Sequence, residues 1–187
     1  MKYLIIILLF NSLTLFSQDI EFLDLINDYR IKNGVSKLTW DNSGEYLTAE
    51  HTKDIFMKDS LFHSNTGVSS FENVLYCGSI AGTSIQYNKF RKFVKLYYDY
   101  DYDSENIIEK DIEKIIKMYI IFGYHESVLH RKNLLNKKVK KVSVSYEYSN
   151  LEFESAKVKF QNKDFNYDKL VSFYRIKLYS TMRLSSK

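Results

Sequence analysis

Apolar residues recur at helical spacing in four stretches of the chain and alternate at strand spacing near its end. Over 20–33, Phe22, Leu23, Ile26, Tyr29 and Arg30 share one side and Gly34 supplies a stop, which predicts a helix. Lys37-Leu38-Thr39-Trp40 reads as a short extended piece. A second helix is predicted over 43–58, because Asn42 and Glu45 have the form of a capping box and Leu47, His51 and Ile55 repeat every four residues. Ile85, Phe90, Phe93, Val94 and Tyr97 mark a third. Ile108, Ile112, Ile115, Ile116, Tyr119 and Phe122 mark a fourth, with Gly123 as its expected end and a helical turn over 127–135 after it.

Residues 59–83 have little periodicity and predict a long loop carrying His63 and Glu72; long ordered loops in compact domains are often functional. From Tyr97 to Asp103 tyrosine and aspartate alternate, which predicts an exposed acidic loop. A calcium loop is not expected there, since the glycine and closing glutamate it needs are missing. Val142, Val144, Tyr146 and Tyr148 alternate as a strand, and Ser149-Asn150 predicts a turn into a second strand, 151–160, containing Val158 and Phe160. Residues 165–181 suit helix and strand equally, so 161–187 is set apart as a C-terminal extension of uncertain structure. Helices first and a hairpin last predict an α+β domain over 18–160, its helices packed on a small antiparallel sheet.

The amino end carries a different signal. Met1-Lys2 is a positive start, Tyr3 to Phe10 is wholly apolar, and Asn11, Ser12 and Thr14 dilute the run before Ser17-Gln18. That is too short and too interrupted for a membrane span, and it predicts a secretory signal peptide over 1–17, cut after Ser17. The expected location is secreted or periplasmic, at the cell envelope, with no transmembrane span in the mature chain. Removing seventeen of the 187 residues leaves 170, enough for one domain, in which 26 basic residues face 23 acidic ones for a net +3. The two signs are interleaved, so no nucleic-acid partner is expected. Cys77 is the single cysteine, which excludes an intramolecular disulfide and leaves the fold to packing. Sixteen Tyr and thirteen Phe supply the apolar area, and Cys77 is expected to be a small buried hydrophobe among them.

Three stretches, in order, carry a family likeness. The first is Leu25-Ile26-Asn27-Asp28-Tyr29-Arg30 with Gly34-Val35 and Leu38-Thr39-Trp40-Asp41. The second is His51-Thr52-Lys53-Asp54, then Phe62-His63-Ser64, then Phe71-Glu72-Asn73-Val74. The third runs from Tyr124-His125-Glu126-Ser127 through Val128-Leu129-His130-Arg131 to Lys132-Asn133-Leu134-Leu135. Together they resemble the CAP superfamily (cysteine-rich secretory proteins, antigen five and pathogenesis-related proteins) in its bacterial SCP-like extracellular form, over roughly 22–160. Tyr124 stands where the family has Trp, Val128-Leu129 where Pro-Gly is common, and Val142-Ser143-Val144-Ser145 where a Gly-Val-Gly strand is expected. The stretch from Glu72 to Tyr124 is longer than is usual in bacterial members, which an insertion near the Tyr/Asp loop would explain. The resemblance implies an α-β-α sandwich whose cleft holds two histidines and at least one glutamate, here His63, Glu72 and His130. No residue matches the second glutamate of many eukaryotic members, and the role is not carried onto Glu126.

Two imidazoles and a carboxylate are good donors for zinc or another divalent cation, and three protein ligands leave a position for water or substrate. Such a water is a candidate for hydrolysis. The same trio also suits metal-free chemistry, with Glu72 as base and the histidines holding an oxyanion. The expected function is therefore an exported CAP-domain binding or interaction module with a His/Glu cleft suited to a divalent metal. A metal-assisted, peptidase-like hydrolase using the same cleft is one alternative, and a structural or interaction protein with a non-functional cleft, relying on the Tyr/Asp loop, is another. The partners expected are a small apolar ligand, a peptide or an envelope component. Outside the trio, His51 is expected in the core, His125 in solvent, and Ser127 as a helix N-cap, since no Gly-x-Ser-x-Gly elbow surrounds it. Cys77 has no evident activating partner for a catalytic role.

Overall fold

The computed structural model describes residues 20–65, 71–80, 83–102, 111–161 and 166–186, with the backbone alone over 150–174. Residues 1–17, the predicted signal peptide, lie outside the described residues. Helix α1 covers 20–32 and ends as predicted at Gly34, whose φ of +69° is a left-handed conformation that a side chain disfavours. Its inward stripe of Phe22, Ile26, Tyr29 and Arg30 is buried. Strand β1 (Thr39–Trp40) leads into α2 (Asn42–Met57). The cap of α2 is Asp41 rather than Asn42: its carboxylate accepts from the Gly44 N–H. Glu45, expected to complete a capping box, accepts instead from Trp40 Nε1 at 3.2 Å.

Strand β2 (Phe71–Ile80) follows, then α3 (Ser84–Tyr98), α4 (Ile112–Glu126), α5 (Val128–Leu134), β3 (Lys141–Gln161) and β4 (Asn166–Ser185). The sheet order is β1-β3-β4-β2, mixed because β1 runs parallel to β3 while the other pairs are antiparallel. This is an α+β sandwich of the expected kind, with α2 on one face and the remaining helices on the other. On the α2 face small polar groups meet: Thr48 Oγ1 and Ser143 Oγ are 2.6 Å apart, and Thr52 lies fully buried beside them. On the opposite face Val142, Val144, Leu178, Met182 and Leu184 pack against apolar residues of the helical layer. The alternation of valine and serine at 142–145 therefore records two differently filled faces of one strand.

Several expectations are corrected. Residues 166–185 are no extension: they form β4, a central strand with β3 on one side and β2 on the other. Helix-like and strand-like readings of this stretch were equal because β4 is covered on both faces, which erases simple alternation. No turn forms at Ser149-Asn150; β3 runs through it, absorbing one extra residue between the pairs Ser149↔Lys177 and Glu152↔Arg175 as a bulge. Helix α4 does not stop at Gly123 but continues to Glu126. A Cβ there would lie 2.8 Å from Leu75 Cδ1, so the glycine serves close approach of α4 to β2. The stretch after Tyr97 is not simply exposed. Tyr97 and Tyr102 are buried, Tyr102 with Phe90 at 4.9 Å between ring centroids, while Asp99 and Asp101 turn out to meet Lys95. Asp103 and Ile108, also part of those expectations, lie outside the described residues.

A chain stopped after residue 160 is expected not to fold, because β2 and β3 would lose their shared neighbour. Loss of the cooperative thermal transition, followed by circular dichroism beside the full chain, checks this; a retained transition would restore a boundary at 160.

Candidate functional site

A buried carboxylate organises the site. Register pairs Glu72 of β2 directly with Arg183 of β4, which puts both side chains on the face covered by α2. Glu72 Oε2 accepts from Arg183 Nε at 3.1 Å and from Ser64 Oγ at 2.5 Å. Glu72 Oε1 accepts from the Ser64 N–H at 2.9 Å and from His63 Nδ1 at 3.1 Å. Arg183 Nη2 also donates to Ser64 Oγ, at 2.8 Å. The side chains of Glu72 and Arg183 are only 11% and 6% exposed, whereas that of His63 is 62% exposed. Burial by itself would raise the Glu72 pKa. The hydrogen bonds from Ser64, the neighbouring His51 and the bond from His63 outweigh it, and the carboxyl is held below its ordinary value. Glu72 is thus an ionised group with all four acceptor directions committed.

His51 joins from α2. Its Nε2 donates to the Phe62 carbonyl at 3.0 Å and stands 3.7 Å from Glu72 Oε1. This fixes the loop that carries His63 and Ser64. His63 Nδ1 donates to Glu72, which fixes the ring and leaves Nε2 as its other nitrogen.

The second histidine is delivered by the helical layer. Ser127 caps α5 as expected, accepting from the His130 N–H at 3.5 Å. Asn73, the neighbour of Glu72 on β2, faces the other way: its Nδ2 donates to the His130 carbonyl at 3.2 Å and its Oδ1 accepts from Asn133 at 2.9 Å. Tyr124 donates to Ser180 Oγ at 3.1 Å, and its ring stands edge-on to His130 with centroids 5.6 Å apart. Arg30 steadies the far end of α5 by donating to the carbonyls of Ser36, Leu134 and Asn136. Burial, and secondarily the charge of His63, lower the His130 pKa, so the ring is neutral at physiological pH. Its Nδ1 is buried and has no hydrogen-bond partner among the described residues.

The model of the cysteine-rich secretory protein (CAP) family matches residues 23–153. The chain belongs to this family. No curated protein matches it.

Within this CAP domain His63 and Glu72 are in direct contact, and His130 lies within electrostatic reach of His63. Glu72 is not on a loop, as expected, but on β2, while His63 is on the coil before it. Among the described residues no group of three or more His, Cys, Asp or Glu side chains is arranged to hold a metal ion. Both oxygens of Glu72 are already occupied by hydrogen bonds from Ser64, His63 and Arg183. Glu126 is engaged elsewhere, with Lys89 at 2.5 Å. Sequence reasoning missed two members. His51 is buried as expected yet also touches the carboxylate. Arg183 lies in the segment of uncertain structure, and nothing in the sequence ties it to Glu72, 111 residues away. His125 is not in solvent: it is half-buried, hydrogen-bonded to Tyr29 at 2.9 Å and boxed by Tyr29, Phe93 and Tyr97. Burial pushes the Cys77 thiol up to about 11, so it stays protonated.

Glu72→Gln should cost about 3 kcal/mol near neutral pH, because Arg183 is left buried without its counter-charge. The sign with pH follows from the lowered folded pKa. The contribution of Glu72 is complete above the unfolded value of about 4.3 and is lost as pH falls through the folded value. His130, whose folded pKa is also lowered, removes stability as pH falls below about 6.5. Urea unfolding of wild type and Glu72→Gln from pH 7 to 3 should therefore give curves that converge at the acid end.

Proposed function

We propose that the protein is an exported CAP-family binding module whose cleft takes its ligand through the imidazoles of His63 and His130. The observation that carries this reading is the fourfold donation to Glu72. A carboxylate so held is a weak base, which argues against the hydrolytic alternative in which Glu72 activates water. It is well suited to orient His63, as carboxylates commonly do for ligand histidines. Export rests on the pattern of residues 1–17; among the described residues no helix is long and apolar enough to cross a membrane.

A divalent cation, zinc foremost, suits two imidazoles, with Glu72 in the supporting role and not as a third ligand. When bound it would supply a Lewis acid and leave positions for donors from a partner or solvent. The chain's own residues contribute the rest: Glu72 holds the proton on His63 Nδ1, Ser64 and Arg183 hold Glu72, and Tyr124 sets the ring of His130. The alternative resting on the Tyr/Asp loop is weakened by the burial of Tyr97 and Tyr102.

Zinc titration by calorimetry tests the reading. One-to-one binding is expected, abolished in His63→Ala and in His130→Ala and weakened about 10–100-fold in Glu72→Gln, the usual effect of losing a supporting carboxylate. Binding unchanged by either histidine substitution, or no binding, would remove the metal from the proposal; weakening in Glu72→Gln equal to that in His63→Ala would make Glu72 a ligand.

A further inference from the structure

Beyond the pair Ile80↔Tyr174 the sheet loses β2, and β3 and β4 continue together for eight pairs, from Glu154↔Phe173 to Gln161↔Asn166. This two-stranded ribbon is about 25 Å long. It lies beyond the residues that the family model matches, which end at 153. Two strands by themselves are marginal in water and need one face packed against something.

Register shows which face that is. Ala156, Val158 and Phe160 of β3 share a face with Tyr167, Val171 and Phe173 of β4, and only Glu154 and Lys169 interrupt it. The opposite face is polar at every position except Leu170. Alternation this clean is the pattern of an antiparallel sheet with one face covered and the other in water. The apolar positions continue the face on which Lys177 and Tyr179 meet Phe56 of α2. α2 ends at Met57, level with Tyr179, which is about 20 Å along β4 from the first ribbon pair. Among the described residues α2 is the only helix on that side of the sheet, so no helix covers the ribbon there.

Charge selects the occupant. A wholly apolar cover would take Glu154 and Lys169 out of water unpaired, which is costly. A second copy of the chain pairs them. Glu154 lies two residues to one side of the pair Ala156↔Val171, and Lys169, opposite Val158, lies two residues to the other. A two-fold axis across the ribbon at Ala156↔Val171 therefore brings Glu154 of each copy to the level of Lys169 of the other. That is the self-complementarity an isologous contact requires. Lys157 and Lys159 on β3 and Asp168 on β4 are charges of the kind that keep strand edges from pairing, which leaves the face as the docking surface. Eight residues a side make a small interface, so the association is reversible and depends on concentration.

We propose that the β3–β4 ribbon is a self-association arm whose apolar face packs on the same face of a second, antiparallel copy of the chain, Glu154 of each meeting Lys169 of the other.

Sedimentation velocity of the protein from low micromolar to submillimolar concentration is the test, with the thermal transition of each variant as the check on folding. A monomer–dimer equilibrium is expected. Val171→Asp, at the axis, should abolish the dimer. Glu154→Lys and Lys169→Glu should each weaken it at least tenfold, because symmetry places two like-charge contacts in every dimer. The double exchange Glu154→Lys/Lys169→Glu should restore the wild-type constant, a recovery that misfolding cannot produce, and His63→Ala should leave it unchanged. A monomer at every concentration, a dimer indifferent to the ribbon substitutions, or a double exchange no better than the single ones would overturn the proposal. Co-sedimentation of a monomer with phosphatidylcholine vesicles, lost in Val171→Asp, would overturn it in favour of a lipid surface as the occupant.

Discussion

An ionised carboxylate held away from water must be met by donors, and at Glu72 that requirement reaches into most of the fold. Arg183 can meet it only if β4 lies beside β2 in the register that pairs these two residues. Ser64 and His63 can meet it only if the coil after α2 returns to the start of β2, and His51 ties that coil to α2 through the Phe62 carbonyl. The strand order β1-β3-β4-β2 and the position of α2 are thus both conditions for burying one charge. Removing a single donor leaves the others holding a charge they cannot satisfy, which is why buried ionic clusters behave as units.

Helices were more legible than the sheet, for a physical reason. A helix with one buried stripe writes its period into ten or more residues, and α1 and α3 were readable from their stripes almost to the residue. Gly34 and Ser127 announced themselves because a left-handed turn and an N-cap each need particular chemistry. Strand β4 was not readable, since a central strand covered on both faces carries no alternation to detect. Gly123 was misread because glycine serves two purposes, ending a helix and admitting a close neighbour, and only the position of Leu75 distinguishes them.

The site was legible in part. His63, Glu72 and His130 came from motif likeness rather than from spacing, and the family match agrees with that likeness. Their roles were not legible, because a role depends on partners remote in sequence. Arg183 is 111 residues from Glu72 and had no signal tying it there. Its bond to Glu72 is what favours the supporting role proposed for that carboxylate over the role of ligand or base.

The two histidines differ in a way that follows from the layers that hold them. His63 is exposed and oriented by a carboxylate on the α2 face. His130 is half-buried in the helical layer, neutral, and fixed through Asn73, Tyr124 and the Ser127 cap. β2 is the shared element: Glu72 reaches one histidine from one face of the strand, and Asn73 reaches the backbone of the other from the opposite face. Adjacent residues on a strand point to opposite faces, so a single dipeptide sets the relation between the two histidines. Pairing with β4 keeps that dipeptide rigid on one side, while the other side of β2 is free among the described residues.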